Sequence, residues 1–181
     1  MSSKARRRLE KAAATQRLVR ISRSPRHADP IDGFVVAVGR KWALVRDVVE
    51  GGYFDALVAI RVKDVTQVRK DRTFAGAFAR TRPEWPPSAP LHADLRTTKG
   101  LIDSMRDLAP LVGIEQERRR GGVVWIGVPV EVDDGLLRLD QVAPDGSWRD
   151  EPHGFRFRRI TKVVVGGRYQ DALAATMVAR E

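Results

Sequence analysis

A chain of 181 residues with 43% apolar content and a net charge of +10 can bury an ordinary core as one domain or as two small ones. The absence of cysteine excludes a disulfide scaffold and thiolate chemistry, and the scattered His27, His92 and His153 argue against a histidine-rich zinc site. The longest apolar run, Val123 to Val130, is too short for a bilayer and is broken by Gly127 and Pro129, and the basic N-terminus lacks the apolar segment of a signal peptide, so a soluble, cytoplasmic protein is expected.

The charge is unevenly placed. Residues 1–26 carry +8 of the +10, in an arm of Lys4, Arg6, Arg7, Arg8, Lys11, Arg17, Arg20, Arg23 and Arg26, while the rest is close to neutral. The arm begins with a helix from about Lys4 to Gln16. Strands follow near Leu18–Ser22, Gly33–Val38, Trp42–Val49, Phe54–Val62 and Val65–Arg69, where β-branched residues are dense and turn residues intervene. A short helix behind an Asp71 cap closes this half, with Phe74, Ala77 and Phe78 facing inward. The stretch Arg82-Pro83-Glu84-Trp85-Pro86-Pro87-Ser88-Ala89-Pro90 can continue neither helix nor sheet, because its prolines fix φ and lack amide donors. It reads as a linker, with Trp85 as a packing anchor.

After the linker, Thr97 or Thr98 caps a helix that places Leu101, Ile102, Met105, Leu108 and Ala109 on one face before Pro110. Five more strands are expected at Leu111–Glu117, Val123–Val132, Leu136–Val142, Gly154–Arg159 and Thr161–Val165, with Arg-Gly-Gly, Asp-Asp-Gly and Pro-Asp-Gly turns between them. A last helix, Tyr169 to Val178, puts Tyr169, Ala172, Leu173, Thr176 and Met177 on a common face.

The two halves repeat one another. Val65-Thr66-Gln67-Val68 matches Ile160-Thr161-Lys162-Val163, and Arg72-Thr73-Phe74 with Ala77-Phe78-Ala79 matches Gly167-Arg168-Tyr169 with Ala172-Leu173-Ala174, at a shift of 95. Leu18–Ile21 matches Leu111–Ile114 at 93, and Val45–Val48 matches Leu139–Val142 at 94. Ordered matches at nearly one offset indicate an internal duplication. The expected organisation is a first helix-plus-barrel module over 1–82, a proline-rich linker over 83–93 and a second module over 94–181.

A helix followed by five short, bent strands is the order of Sm-like and SH3-like barrels. The segments Asp32-Gly33-Phe34-Val35-Val36, Trp42-Ala43-Leu44-Val45, Tyr53-Phe54-Asp55-Ala56-Leu57 and Val62-Lys63-Asp64-Val65 resemble a family of actinobacterial-type proteins with tandem Sm-like/SH3-like small β-barrel modules. The stretch from Ile160-Thr161-Lys162-Val163 to Tyr169-Gln170-Asp171-Ala172-Leu173 resembles it too. The resemblance implies a mainly β fold with flanking helices (α+β), two tandem five-stranded barrels. It implies no RNA function, because the Asn or Lys-His signature of uridine-binding Sm-type loops is missing at the corresponding turns.

Four features could carry chemistry. Lys4, Arg6, Arg7, Arg8 and Lys11 in the arm could bind phosphates by counterion release, or form a solvated helix face. Arg118-Arg119-Arg120, followed by Gly121-Gly122, could clamp an anion at a turn, or be a solvated hairpin partly neutralised by Glu115 and Glu117. Asp150-Glu151-Pro152-His153 could be an acid–base pair, but no nucleophile accompanies it and a polar loop explains it. The acidic residues Glu131, Asp133, Asp134 and Asp140 suggest hard-cation ligands less than a hairpin turn. With no phosphate loop, HExxH segment or GxSxG elbow, the expectation is a non-catalytic tandem-barrel binding protein without cofactor or metal. Its partner is RNA or DNA held by the basic arm and the Arg118–Arg120 turn, or alternatively another protein.

Overall fold

The computed structural model describes residues 3–133 and 135–179. In the first half, helix α1 (Ser3–Ala14) precedes strands β1 (Leu18–Arg23), β2 (Ile31–Val38), β3 (Trp42–Val49), β4 (Tyr53–Arg61) and β5 (Val65–Lys70), then helix α2 (Ala75–Ala79). In the second, helix α3 (Thr98–Met105) precedes β6 (Val112–Glu115), β7 (Val124–Asp133), β8 (Leu136–Gln141), β9 (His153–Arg156) and β10 (Lys162–Val165), then helix α4 (Arg168–Thr176). The fold is mainly β with flanking helices. No helix among the described residues is long and apolar enough to cross a membrane.

The strands form one antiparallel sheet in the order β5-β1-β2-β3-β4-β10-β6-β7-β8-β9. The internal order of the first five recurs in the second five. Local irregularities recur with it. The β2–β3 register slips at Val36 and the β7–β8 register at Val130, each leaving one extra residue that bends its strand. Just before each bulge stands a glycine. A Cβ on Gly33 would lie 2.5 Å from the Arg46 carbonyl oxygen, and one on Gly127 would lie 1.9 Å from that of Asp140. The bent strand crosses its neighbour too closely for any side chain at these two points. A 3₁₀ turn joins β4 to β5 at Val62–Asp64 and β9 to β10 at Phe157–Arg159, with extended residues on either side of each.

The halves do not close as two separate cylinders; they share the one sheet. Strand β4 explains why. Its run Ala56-Leu57-Val58-Ala59-Ile60 is buried on both faces, with Leu57 and Ala59 in one core cluster and Ala56, Val58 and Ile60 in another. Such a strand is an interior strand, and β10 completes it: Leu57 lies opposite Val165, Val58 opposite Val164, Ala59 opposite Val163 and Ile60 opposite Lys162. The first of those clusters also gathers Trp42 and Leu44 from the first half with Leu101, Ile102, Ile114, Leu137 and Phe155 from the second. Polar ties reinforce the seam. Arg23 donates two hydrogen bonds of 2.6 Å to the Glu117 carboxylate, both side chains being almost fully buried. Arg118 pairs with Asp64, and Arg61 donates to the carbonyls of Ile160 and Phe157. At the outer edges, β5 ends in exposed Arg69 and Lys70, and β9 is four residues long with Pro152 before it, features that discourage further pairing.

The helices depart from their expected faces. Helix α3 stops at Met105, and Leu108 lies beyond it, 45% exposed. Asp71 accepts hydrogen bonds from the backbone and hydroxyl of Thr73 in a local turn rather than capping a helix, so α2 starts later. It buries Ala75 and Ala79 and leaves Phe74 72% exposed. Helix α4 begins at Arg168, whose N–H donates to Asp55 at 2.9 Å. It turns Gln170 and Leu173 inward, while Tyr169 is largely exposed. Trp85 packs edge-on against Phe34 with ring centroids 5.2 Å apart, as a linker anchor should.

Candidate nucleic-acid interface

Where the two halves meet, the ends of their strands form a cavity of about 600 Å³. Its construction follows from the repeat. The last residue of β4 and the adjoining 3₁₀ turn supply Arg61 and Lys63, and the last residue of β9 and its turn supply Arg156 and Arg158. These are Arg-x-Lys and Arg-x-Arg at the same offset of 95. The approach to β3 adds Arg40 and Lys41, and the first turn of α3 adds Lys99. Seven cationic residues therefore line the cavity, and among the described residues no carboxylate does.

Their roles divide by burial. Arg61 is buried, its guanidinium 4.5 Å from the centroid of the Trp42 ring. Desolvation pulls its pKa below the ordinary arginine value. Its hydrogen bonds to second-half carbonyls make it the floor. Lys99 is tied to the Val132 carbonyl at 2.7 Å and to Asp103 at 3.2 Å. The remaining Arg40, Lys41, Lys63, Arg156 and Arg158 are exposed and, among the described residues, form no salt bridge. Thr97 caps α3 by accepting the Gly100 N–H at 2.9 Å, and the start of that helix adds its positive end to the wall. Such an arrangement repels itself until an anion enters.

The arm is ordered rather than loose. Ala5, Leu9 and Ala12 of α1 are buried, which fixes its cationic face. Arg6 donates to the Arg40 carbonyl at 2.9 Å and so brings the start of α1 to the cavity rim. Lys4, Arg7, Arg8 and Lys11 are exposed. Arg8 and Lys11 line a second groove of about 400 Å³ with Arg17, Arg69 and Lys70, again without a carboxylate among the described residues.

The structure separates the three arginines of the β6–β7 turn. Arg118 is committed to Asp64, whereas Arg119 and Arg120 are exposed. Glu115 and Glu117 do not neutralise this turn: Glu115 pairs with Lys162 at 2.6 Å and Glu117 with Arg23. Arg119 lowers the pKa of half-buried Arg159 from the ordinary arginine value, with Arg158 and Arg156 adding to it. The turn thus extends the positive field from the cavity.

Other candidates have plain roles. His153 sets its ring against Phe155 at a centroid distance of 4.7 Å. Glu131 pairs with Arg138 at 3.0 Å, and Asp134 lies outside the described residues. Among the described residues, no group of three or more His, Asp or Glu is placed to hold a metal ion.

The sequence reading missed Arg40, Lys41, Lys63, Lys99, Arg156 and Arg158. The available signal was the recurrence of Arg61-Val62-Lys63 as Arg156-Phe157-Arg158 at the ends of equivalent strands. No family model, curated protein or solved structure matches this chain.

Proposed function

We propose that this chain is a non-catalytic nucleic-acid-binding protein built from two five-stranded modules of Sm-like/SH3-like barrel type that stay open and join in one sheet. The barrel reading is supported by the strand order, bulge, close-approach glycine and 3₁₀ turn that recur in each half. The binding reading rests on one observation: the two halves converge seven cations and, among the described residues, no carboxylate on a single cavity at their seam. Phosphodiester oxygens supply the missing charge, and displaced counterions supply the driving force. In this reading the seam cavity is the principal contact, and α1 with Arg119 and Arg120 forms flanking contacts.

Fluorescence polarisation of a labelled single-stranded oligonucleotide tests it. Binding at about 50 mM salt should weaken steeply as salt rises. The triple variant Lys41→Glu/Lys63→Glu/Arg158→Glu should lose on the order of a hundredfold in affinity and reduce the salt slope by about three. Arg7→Gln/Arg8→Gln/Lys11→Gln should lose about tenfold or less, because its phosphates lie at the margin. Absence of binding at low salt defeats the proposal.

A further inference from the structure

A second cavity, of about 410 Å³, lies along the same seam and has the opposite character. Val58, Ile126, Val164 and Leu173 give it apolar walls, and its polar groups are Asp47 on β3, Asp55 on β4, Glu115 on β6 and Lys162 on β10, with Gln170 beside them. Strand pairing brings these distant residues together. Glu115 stands directly opposite Lys162 in the β6–β10 register, and their charges meet at 2.6 Å. Asp55 accepts the Arg168 N–H at the start of α4, and its charge faces Arg46. The Arg168 side chain reaches out to Glu50 at 3.5 Å, and the Gln170 amide is engaged by the Val164 carbonyl at 3.1 Å.

Asp47 is left without a cation of its own. It accepts the Val48 N–H at 3.1 Å and, among the described residues, forms no ion pair. The charged groups that bear on it are Lys162, already bonded to Glu115, and the like-charged Asp55 and Asp32. Burial, the largest influence, holds its pKa up at about 6. Tyr169, 60% exposed, stands among the lining residues.

We propose that this cavity binds a small organic cation, an ammonium or guanidinium group on an apolar body, with the cation against Asp47 and the body against Val58, Ile126, Val164 and Leu173. The volume suits a small molecule. Three carboxylates against one lysine select a cation over an anion, and the Tyr169 ring adds a cation–π surface. The apolar walls disfavour a bare metal ion, which demands several oxygen ligands. This site is independent of the nucleic-acid interface.

Calorimetric titration of the full chain with phenethylammonium, and with 3-phenylpropionate as its anionic counterpart, decides the matter. The amine should bind saturably at pH 7.5 and the carboxylate should not bind. Affinity for the amine should fall about tenfold at pH 5.0, because the Asp47 carboxylate must give up a proton first. Asp47→Asn keeps the Val48 acceptor and should lose at least about tenfold in amine affinity, while its oligonucleotide binding stays at the wild-type level. Leu173→Trp, which fills the cavity from α4, should block the amine without changing Asp47. Equal binding of both probes, no heat up to about 10 mM amine, or wild-type amine affinity in Asp47→Asn would overturn the assignment.

Discussion

The two seam cavities share strand β4, yet one gathers cations and the other carboxylates. Along β4 the change takes six residues, from Asp55 to Arg61, roughly 20 Å at ~3.3 Å per residue. Position along the strand governs the difference. At the strand ends, exposed side chains keep their hydration, so Arg40, Lys41, Lys63, Arg156 and Arg158 can crowd together without an internal partner. Over the apolar middle of the sheet, water is scarcer and every charge carries a desolvation cost. There Glu115 takes Lys162, and its pKa still rises through burial, while that of Asp47, which has no ion-pair partner among the described residues, rises through burial to about 6. In the proposed reading, the crowded exposed charge is the contact for a large polyanion, and the half-buried lone charge the contact for one small ion.

Both cavities exist only while the seam holds, so the strongest test breaks the seam. Glu117→Gln removes the charge that matches buried Arg23, leaving a guanidinium almost without solvent. The expected loss is about 3–5 kcal/mol of unfolding free energy, read from a urea melt. Oligonucleotide and amine binding should weaken together, because both sites lie across the same joint. Loss of one without the other would separate the cavities from the seam. The paired replacement Arg23→Met/Glu117→Leu should recover much of the stability, since apolar residues of similar volume avoid the desolvation cost.

A smaller effect is expected where the repeat itself is tested. Gly127→Ala places a methyl group 1.9 Å from a backbone carbonyl oxygen that no rotamer can move aside. It should cost about 1–3 kcal/mol, and Gly33→Ala, at 2.5 Å, should cost a similar or somewhat smaller amount. Gly154→Ala in β9 meets only a leucine methyl at 3.5 Å and should fall within about 0.5 kcal/mol of wild type. Thermal melts of the three variants check whether the bend in β7 answers to the same constraint as the bend in β2.

These cases also show what could be read without coordinates. Strand positions were legible because alternation and β-branching act locally, and Trp42–Val49 was placed to the residue. The repeat was legible because duplicated bends need duplicated residues. The seam was not, since strand pairing between β4 and β10 joins residues about a hundred positions apart. Its one local trace was the uninterrupted apolar run Ala56–Ile60, which suits a strand covered on both faces better than an edge. The basic cavity was hidden by averaging. Segment totals near neutrality say nothing about where Glu115, Glu117 and Asp64 spend their charge, and all three turn out to be engaged away from Arg156 and Arg158. The arm was found as a helix, but Leu9 beneath it made it a fixed wall rather than a free tether.

The finest distinction between the cavities is their response to pH. Asp47 titrates near 6 in the folded chain and near 3.9 when unfolded. The folded state therefore holds the proton more tightly, and stability declines as pH rises from about 4 to about 6, then levels off. Asp47→Asn removes that decline while keeping the acceptor for Val48. Because the carboxylate is only partly buried and Lys162 lies near, the gain should be on the order of 1 kcal/mol at pH 8 and close to nothing at pH 4. Denaturant melts of wild type and variant at the two pH values measure it. Lysine and arginine side chains titrate well above this window, so Lys63→Gln in the basic cavity should shift both melts by the same small amount. A pH-independent effect of Asp47→Asn would mean that Asp47 is already matched by a cation, and the contrast between the two ends of the seam would be lost.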